Sequence, residues 1–396
     1  MRLLVIAMVE SSHTANWLNT LTNEGHEIFL FAPYLSRPHK DLEPVRRTNG
    51  VFFQKGATDK INYISALPHP FLGDGLEWSL NKIKRDQAWR ANWLAMIIRT
   101  IKPDLLHSME FQQAGYLSLQ AYEILKGNFP PWLATIWGSD LYYFGQFEEH
   151  KPRIKRILSL ADFFSCECMR DVKLAQQMGL KGRALKPGLV SGGYDLKRAR
   201  ELQSKQPTSE RRLIVIKGYQ HFAGRALIAL KALELCSDHL NDYKIRLHSS
   251  TPDVIKAVNT LGRKSGLDIA CIPHTQNQED ILALHGQARI SIGLSISDGI
   301  SVSMLEAMIM GSFPIQSCTS CANEWIEDGK SGFIVPAEDP IFLSLKIISA
   351  LNNDTLVNHA RELNWKTAEK KLSSVIVKSH VINTYKEILD NISTNA

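Results

Sequence analysis

One stretch of the sequence decides the fold: Ser295-Ile-Ser-Asp-Gly-Ile-Ser-Val-Ser-Met-Leu-Glu-Ala-Met-Ile-Met-Gly-Ser-Phe-Pro-Ile315. The apolar residues 290–294 before it predict a strand, and the stretch itself predicts a polar loop, a short helix and a second strand at 313–316. Asp298 lies in the loop and Glu306 lies in the helix. A helix N-terminus offers unpaired N–H groups to an anionic ligand, and a carboxylate one turn further in can accept hydrogen bonds from hydroxyls. Phosphate together with hydroxyls describes a nucleotide sugar.

The stretch resembles the signature of glycosyltransferase family 4, in which two acidic residues are separated by seven others. One position departs from it, because the family more often has Glu where this chain has Asp298, whose side chain is one methylene shorter. The alternative interpretation is a plain strand–loop–helix connection whose glycines only make turns. The resemblance implies a retaining enzyme of bacterial type with the GT-B fold. The positions that follow the pattern are Asp298, Gly299, Leu305, Glu306, Ala307, Met308, Gly311 and Pro314.

Length and composition indicate a two-domain globular protein. A chain of 396 residues exceeds one ordinary core, and 44% hydrophobic with 22% charged residues is typical of soluble proteins. The longest apolar runs, such as 3–9, have strand length and cannot span a bilayer. No signal peptide is evident at the N-terminus, so we expect a cytoplasmic protein.

The six cysteines fit a reducing compartment. Cys318 and Cys321 form a C-x-x-C, while Cys166 and Cys168 are too close for a usual zinc pair. Ordinary free thiols are the expectation, and a zinc site or a redox pair is the alternative.

The basic excess of the chain lies in its first half. Residues 1–200 hold 26 Lys and Arg against 19 Asp and Glu, whereas residues 201–396 hold 20 against 21. Basic and tryptophan side chains alternate within residues 78–102, which suits peripheral contact with an anionic membrane surface or a lipid-linked acceptor. The alternative is a solvated helix that packs on its own domain. Nucleic acid is not expected as a partner, because no recognised motif accompanies the charge. The clustered residues are Lys82, Lys84, Arg85, Arg90, Arg99 and Lys102 with Trp78, Trp89 and Trp93.

Strand and helix patterns alternate along both halves, which predicts two α/β domains with parallel, doubly wound sheets. We place the N-terminal acceptor domain at 1–190, a hinge at 191–211 and the nucleotide-sugar domain at 212–378. The resemblance implies the GT-B architecture, in which two Rossmann-like domains face each other across a cleft. It also implies that the last helix, at 379–396, crosses back to the N-terminal domain.

The C-terminal half is expected to bind the donor. Glu306 is the candidate acceptor of hydrogen bonds from the ribose hydroxyls, and Asp298, which we count among the catalytic residues, is placed to meet the transferred sugar. Backbone N–H groups for the sugar or the diphosphate are expected from Gly299, Ile300, Ser301 and Val302.

Two cations are expected near the leaving diphosphate, whose negative charge grows as the glycosidic bond breaks. Residues 214–227 resemble the strand–loop–helix with which the family usually supplies an Arg and a Lys. Arg225 falls about where the family has its Lys, and Lys217 precedes the glycine that the family's Arg follows. Surface charges are the alternative interpretation of both.

Three residues of the N-terminal half are predicted to complete the catalytic site. His13 lies in the first strand-to-helix turn, at the sheet edge where ligands bind in such folds. His107 ends a strand that resembles the family's D-x-x-H element. Asp140 belongs to a segment that resembles T-x-H-G-x-D, with Trp137 where a histidine often stands. For His13 a structural role is the alternative interpretation.

The function that joins these pieces is transfer of a sugar from a UDP- or GDP-type donor to a hydroxyl of a saccharide or lipid-linked acceptor. The implied setting is bacterial surface polysaccharide or glycolipid assembly, in the cytoplasm or at the inner face of the membrane. No metal and no cofactor beyond the nucleotide sugar are expected. The alternatives are a nucleotide-sugar epimerase with the same fold and a non-catalytic sugar-nucleotide-binding protein.

Overall fold

The chain forms two compact units, each with its own parallel sheet. The computed structural model describes residues 1–34, 36–42, 45–48, 60–64, 88–273 and 277–395. The first unit contains Met1–Gly192 and Val377–Ala396, and the second contains Gly193–Ile376. Both sheets are flanked by helices, so the predicted fold class of two doubly wound α/β domains is confirmed.

The first unit is built on an eight-stranded parallel sheet. Its strands are β1 (Arg2–Ile6), β2 (Glu27–Phe31), β3 (Val45–Thr48), β4 (Ile61–Ile64), β5 (Leu105–Met109), β6 (Trp132–Thr135), β7 (Phe163–Ser165) and β8 (Arg183–Ala184). They lie in the order β3-β4-β2-β1-β5-β6-β7-β8. The central strands read as continuous apolar runs, such as Leu-Leu-Val-Ile in β1, because helices cover both faces of the sheet.

Helices connect these strands and cover the sheet. Ser11 caps the first helix, because its Oγ accepts a hydrogen bond from the His13 N–H at 3.2 Å. The helices are α1 (Ser12–Leu21), α2 (Ala88–Ile101), α3 (Tyr116–Ile124), α4 (Ser139–Tyr142), α5 (Lys151–Leu160) and α6 (Met169–Gln177), and a π-helix spans Phe111–Gly115.

The second unit repeats the architecture with six parallel strands and a small hairpin. The sheet strands are β9 (Leu213–Lys217), β12 (Lys244–His248), β13 (Ile269–Cys271), β14 (Ile290–Gly293), β15 (Phe313–Ser317) and β16 (Phe333–Val335), and the hairpin pairs β10 (Gln220–His221) with β11 (Gly224–Arg225). The sheet order is β13-β12-β9-β14-β15-β16. The helices are α7 (Leu196–Leu202), α8 (Ala226–Leu235), α9 (Pro252–Ser265), α10 (Gln278–Gln287), α11 (Val302–Met310), α12 (Pro340–Leu351) and α13 (Asp354–Lys371).

Helix α11 ends abruptly at Gly311, as the opening stretch predicts. Gly311 has a φ of 72°, the left-handed conformation that glycine adopts most readily at a helix C-terminus. A Cβ at this position would lie 2.9 Å from the Arg361 Cγ. Both constraints require glycine here, and they let the chain enter β15 two residues later.

The last helix, α14 (Ser374–Asn395), packs on the first unit from Val377 onward. Its Tyr385 hydroxyl accepts a hydrogen bond from the Trp17 Nε1 at 3.0 Å and lies 2.7 Å from the His107 Nδ1. The other ring nitrogen, His107 Nε2, lies 2.7 Å from the Thr135 Oγ1. A buried polar chain therefore joins the C-terminal helix to α1 and to strands β5 and β6, in agreement with the crossing helix that the fold prediction included.

Strands β3 and β4 and helices α7 and α10 are among the elements that were not predicted from the sequence. Strands β3 and β4 extend the first sheet beyond β2, and they are too short to show a clear hydrophobic period. Helix α7 lies inside the segment interpreted as a hinge, where Asp195 caps it by accepting a hydrogen bond from the Arg198 N–H at 3.0 Å.

Tyr385→Phe tests the polar chain that anchors α14. The substitution leaves a Trp17 N–H and a His107 nitrogen buried without a partner, so we expect a loss of about 2–4 kcal/mol in the free energy of unfolding. Urea denaturation measures it. Tyr122→Phe is the matched control, because the Tyr122 hydroxyl makes no hydrogen bond with the described residues. Equal stability of the two variants would contradict the anchoring role.

Candidate functional site

Asp298 and Lys217 form an ion pair at the carboxyl edge of the second sheet. Asp298 lies in the loop after β14, and Lys217 is the last residue of the neighbouring strand β9. The Lys217 Nζ lies 3.5 Å from the Asp298 Oδ2, and the Asp298 Oδ1 accepts a hydrogen bond from the Gly299 N–H at 3.0 Å. A cation and an anion are therefore held together where helix α11 begins, at the sheet edge that binds ligands in such folds.

Glu306 is a buried carboxyl group inside α11, with 6% of its surface exposed. Burial raises the pKa of Glu306 to about 7, while a hydrogen bond from the Gln278 side chain and the positive charge of Lys217 act in the opposite direction. The His285 Nε2 lies 3.9 Å from the Glu306 Oε2. The carboxyl can thus change its charge near neutral pH.

Arg225 is held at the base of the hairpin β10–β11. Its backbone N–H donates to the Leu294 carbonyl at 3.0 Å, and its Nε lies 3.1 Å from the Glu338 Oε1. The N–H groups of Ile296 and Ser297 both donate to the Phe222 carbonyl in the hairpin turn. These hydrogen bonds therefore join the hairpin that contains Arg225 to the loop that contains Asp298.

The residues that open α11 are largely buried. Ile300 and Ser301 are 4% and 1% exposed, and Val302 is the first residue of the helix. Among the described residues the Ser301 Oγ finds no hydrogen-bond partner. The Gly299 N–H, which the sequence assigned to the ligand, is directed to Asp298 in this structure.

In the first unit, Asp140 and His13 share contacts with Trp137. The Asp140 Oδ2 accepts a hydrogen bond from the Trp137 N–H at 2.8 Å, and its Oδ1 accepts one from the Phe111 N–H at 2.7 Å. The His13 ring meets the Trp137 ring edge-on, with centroids 5.3 Å apart. Burial raises the pKa of Asp140 to about 6, against the effect of these hydrogen bonds.

His107 contacts a different set of residues from Asp140 and His13. Both of its ring nitrogens lie within hydrogen-bond distance of protein hydroxyls, on Tyr385 and Thr135. Burial lowers the pKa of His107 to about 3, so the imidazole is neutral at physiological pH. The arrangement favours a structural role, and the catalytic role of His107 remains a prediction.

The sequence analysis did not select Glu110 as a site residue. Glu110, which follows β5, has a φ of 72° and caps the π-helix by accepting the N–H groups of Gln113 and Ala114. Burial and the charge of Asp140 raise the pKa of Glu110 to about 8. No sequence signal marks Glu110 except its position at a strand end.

The second unit contains three histidines that were also missed. His221, in the hairpin, has a pKa lowered by burial and by the charges of Lys217 and Arg225. His248 is the last residue of β12, a position comparable to that of Lys217 at the end of β9. His285 lies in α10 without any motif to mark it.

The basic region at 78–102 is described only from residue 88 onward. Arg90 is 5% exposed and donates from its NH1 to the Ala32 carbonyl at 3.1 Å, and Trp93 belongs to the core. Lys82, Lys84, Arg85 and Trp78 lie outside the described residues. Within the described ranges, no helix is long and apolar enough to cross a membrane.

Two family models match separate parts of the chain. Residues 262–370 match the model described as glycosyl transferases group 1, and residues 78–167 match the model described as glycosyl transferase 4-like. The first match contains Asp298 and Glu306, and the second contains His107 and Asp140. The search of curated proteins finds no match.

Solved structures share the fold over nearly the whole chain. Sucrose-phosphate synthase from Thermosynechococcus elongatus has a TM-score of 0.68 at 12% identity, covering 99% of this chain and 100% of that chain. Anabaena HepE in complex with UDP and glucose has a TM-score of 0.68 at 12% identity, with coverages of 98% and 99%. The trehalose 6-phosphate synthase from Burkholderia multivorans has a TM-score of 0.71 at 9% identity, with coverages of 100% and 98%. At these identities the likeness confirms the GT-B fold.

Glu306→Gln tests how much the burial of the Glu306 carboxyl reduces the stability of the protein. Glu306 titrates near 7 when folded and near its usual 4.5 when unfolded, so the folded chain binds more protons between these values. The free energy of unfolding therefore decreases as the pH rises through this interval, and it stays low at higher pH. The neutral glutamine avoids the loss, and we expect the variant to exceed the parent by up to about 3 kcal/mol at pH 8 but not at pH 4.5.

Urea denaturation without nucleotide at the two pH values measures this difference. Glu362→Gln is the control, because Glu362 is an exposed glutamate of the same unit. A Glu306→Gln variant less stable than the parent at pH 8 would contradict the assigned burial cost.

Proposed function

We propose that this chain, a glycosyltransferase with the GT-B fold, transfers a sugar from a nucleotide-sugar donor to an acceptor hydroxyl with retention of anomeric configuration. The observation that carries the proposal is the grouping of Lys217, Asp298 and Glu306 at one edge of the second sheet. Together they offer a cation for a diphosphate and carboxylates for hydroxyl groups. A nucleotide sugar presents both a diphosphate and hydroxyl groups.

In the proposed donor site, Glu306 accepts hydrogen bonds from the ribose hydroxyls. Lys217 and Arg225 offset the charge of the diphosphate, with backbone N–H groups from 299–302. Asp298 contacts the transferred sugar and exchanges its ion pair with Lys217 for that contact. A donor of UDP or GDP type fits these groups, and the UDP-glucose complex of the structurally similar Anabaena HepE supports this class.

We assign the acceptor to the first unit, with His13, His107 and Asp140 as the candidate contacts. The acceptor hydroxyl forms the new bond to the anomeric carbon on the face from which the diphosphate departs. Its proton passes to a leaving diphosphate oxygen, so the step needs neither a dedicated protein base nor a metal. A structurally similar trehalose-phosphate synthase from Burkholderia xenovorans was solved in complex with glucose-6-phosphate, which supports a sugar acceptor.

The biological setting is the least specific part of the proposal. The basic excess of residues 1–200 supports an acceptor carried on an anionic or polyprenyl lipid, as in assembly of a bacterial surface polysaccharide or glycolipid. Such an enzyme would work in the cytoplasm, at the inner face of the membrane. Peripheral contact through residues 78–102 rests on their sequence, since the described Arg90 and Trp93 are buried.

Thermal-shift screening against a panel of nucleotide sugars tests the donor class first, because a ligand that binds only the folded state raises the melting temperature. The donor that binds is then incubated alone and with candidate saccharide and lipid-linked acceptors. A product that carries the sugar with unchanged anomeric configuration supports the proposal. An isomerised nucleotide sugar without acceptor indicates an epimerase, and binding without any product indicates a binding protein.

Glu306→Ala is the sharpest variant for the donor site. Loss of one or two charge-assisted hydrogen bonds to the ribose should weaken donor binding by about 2–4 kcal/mol. Isothermal titration calorimetry with the donor selected by the screen measures it, and Glu362→Ala serves as the control. If Glu306→Ala binds and transfers sugar as well as the parent, the donor-site assignment is wrong.

Removal of metal ions tests the assignment of Lys217 and Arg225 as the source of positive charge at the diphosphate. Because Lys217 and Arg225 supply the positive charge, we expect full transfer activity after dialysis against EDTA. The Arg225→Gln variant should then lose at least about tenfold in kcat/KM, from removal of a charge next to the leaving group. Activity that disappears with EDTA and returns with Mg²⁺ or Mn²⁺ would refute the metal-free mechanism.

A further inference from the structure

A short hairpin interrupts the connection between β9 and α8. Strand β10 pairs antiparallel with β11, and Phe222 and Ala223 form the turn between them. The hairpin is closed at its base, because the Ala226 N–H donates to the Tyr219 carbonyl at 3.0 Å. A compact loop therefore leaves β9 at its carboxyl end and returns at once to the following helix.

Two glycines allow this hairpin to lie close to the sheet. A Cβ at Gly218 would lie 2.3 Å from the Ser250 Oγ and 2.8 Å from the His248 carbonyl oxygen. A Cβ at Gly224 would lie 2.2 Å from the Tyr219 Cβ. A side chain at either position would displace the backbone, which glycine avoids. The sequence therefore holds the hairpin against the carboxyl edge of the second sheet.

His221 presents its ring at the surface of this hairpin. The ring stacks on that of Tyr219, with centroids 5.2 Å apart and 30° between the planes. The His221 Nδ1 accepts a hydrogen bond from the Ala223 N–H at 3.1 Å, so the neutral ring carries its proton on Nε2. The residue is exposed, and its Nε2 makes no hydrogen bond with the residues that the structure describes. A ligand can therefore reach this N–H without displacing a protein partner.

Both cations that the proposed site assigns to the diphosphate contact this part of the hairpin. The Lys217 Nζ lies 5.1 Å from the centre of the Tyr219 ring, on which His221 stacks. The Arg225 Nη1 donates to the His221 carbonyl. Burial and the charges of Lys217 and Arg225 lower the pKa of His221, against the charge of Asp298, so the ring is neutral at pH 7. A neutral donor is thus placed beside two permanent cations.

We propose that the His221 Nε2 donates a hydrogen bond to the β-phosphate of the nucleotide sugar, the phosphate bonded to the transferred sugar. Lys217 is paired with Asp298, which the proposed site places at that sugar, so the phosphate that reaches Lys217 is the β-phosphate. As the bond to the sugar breaks, negative charge grows on this phosphate and the hydrogen bond strengthens. The inference rests on the proposed function, since it assumes that a nucleotide sugar binds at this edge.

His221→Asn and His221→Gln distinguish this role from a structural one. The asparagine amide lies near the position of Nδ1, so it keeps an acceptor for the Ala223 N–H but lacks the outer donor. The glutamine amide reaches the position of Nε2, so it keeps a donor there but lacks the inner acceptor. We expect asparagine to weaken donor binding about tenfold and glutamine to retain most of the parent's affinity. A histidine that only shapes the hairpin predicts the reverse order.

Isothermal titration calorimetry with UDP and UMP, or with GDP and GMP if the screen selects a guanine donor, locates the contact. We expect His221→Asn to bind the diphosphate about tenfold more weakly and the monophosphate as the parent does, because the monophosphate lacks the β-phosphate. With the complete donor and acceptor, kcat should fall together with kcat/KM, because the contact is stronger in the transition state. His239→Asn, at an exposed histidine of the same unit, is the matched control.

The outcomes separate the inference from the proposed function. If Glu306→Ala weakens donor binding while His221→Asn binds the diphosphate and transfers sugar as the parent does, the role of His221 is wrong and the donor site stands. Equal losses for the monophosphate and the diphosphate, or a loss in His221→Gln with parental behaviour in His221→Asn, would also overturn the inference. If the parent protein binds no nucleotide, the proposed function fails and the inference fails with it.

Discussion

The buried carboxyl of Glu306 is the constraint on which the second unit depends. An isolated carboxylate in the protein interior is costly, and the cost appears as the raised pKa of this group. The chain meets it with groups from two neighbouring elements: Lys217 at the end of β9 and Gln278 in α10. These elements are brought together because parallel strands end at a common edge, so each strand end and each following helix adds one group. The left-handed turn at Gly311 completes the arrangement by directing the chain from α11 straight into β15.

The first unit uses its buried polar groups differently. The Trp17–Tyr385–His107–Thr135 chain satisfies its members with one another and fixes α14 on the sheet. A hydrogen-bonded network of this kind rigidifies a core. Asp140 and Glu110 are both buried as well, yet their oxygens accept backbone N–H groups of the π-helix region instead of hydroxyls. Buried polar groups therefore anchor a helix in one place and determine the shape of a loop in another.

The sequence allowed the fold to be predicted because strand–helix alternation is a repeated, long-range pattern. Asp298 and Glu306 could be found from the strand–loop–helix pattern and the family resemblance of the stretch that contains them, and Lys217 from the resemblance of residues 214–227. His285 and Gln278 could not be found, because their proximity to Glu306 depends on how α10 packs against α11, which no local period reveals. The partner of His107 could not be found from the sequence either: the Tyr385 hydroxyl, 278 residues later in the chain, lies 2.7 Å from the His107 Nδ1, and the catalytic role of His107 stays a prediction.

Positions where the chain departs from the family 4 pattern that it resembles make defined contacts in the structure. At position 137, where the pattern often has a histidine, the Trp137 indole packs against His13 and the Trp137 backbone N–H donates to Asp140. Trp137 therefore links α1 to the loop that follows β6. Asp298, where the pattern more often has glutamate, pairs with Lys217, which precedes the glycine that the pattern's arginine follows, and the two charged groups lie 3.5 Å apart. A cation and an anion therefore offset each other at the sheet edge where α11 begins.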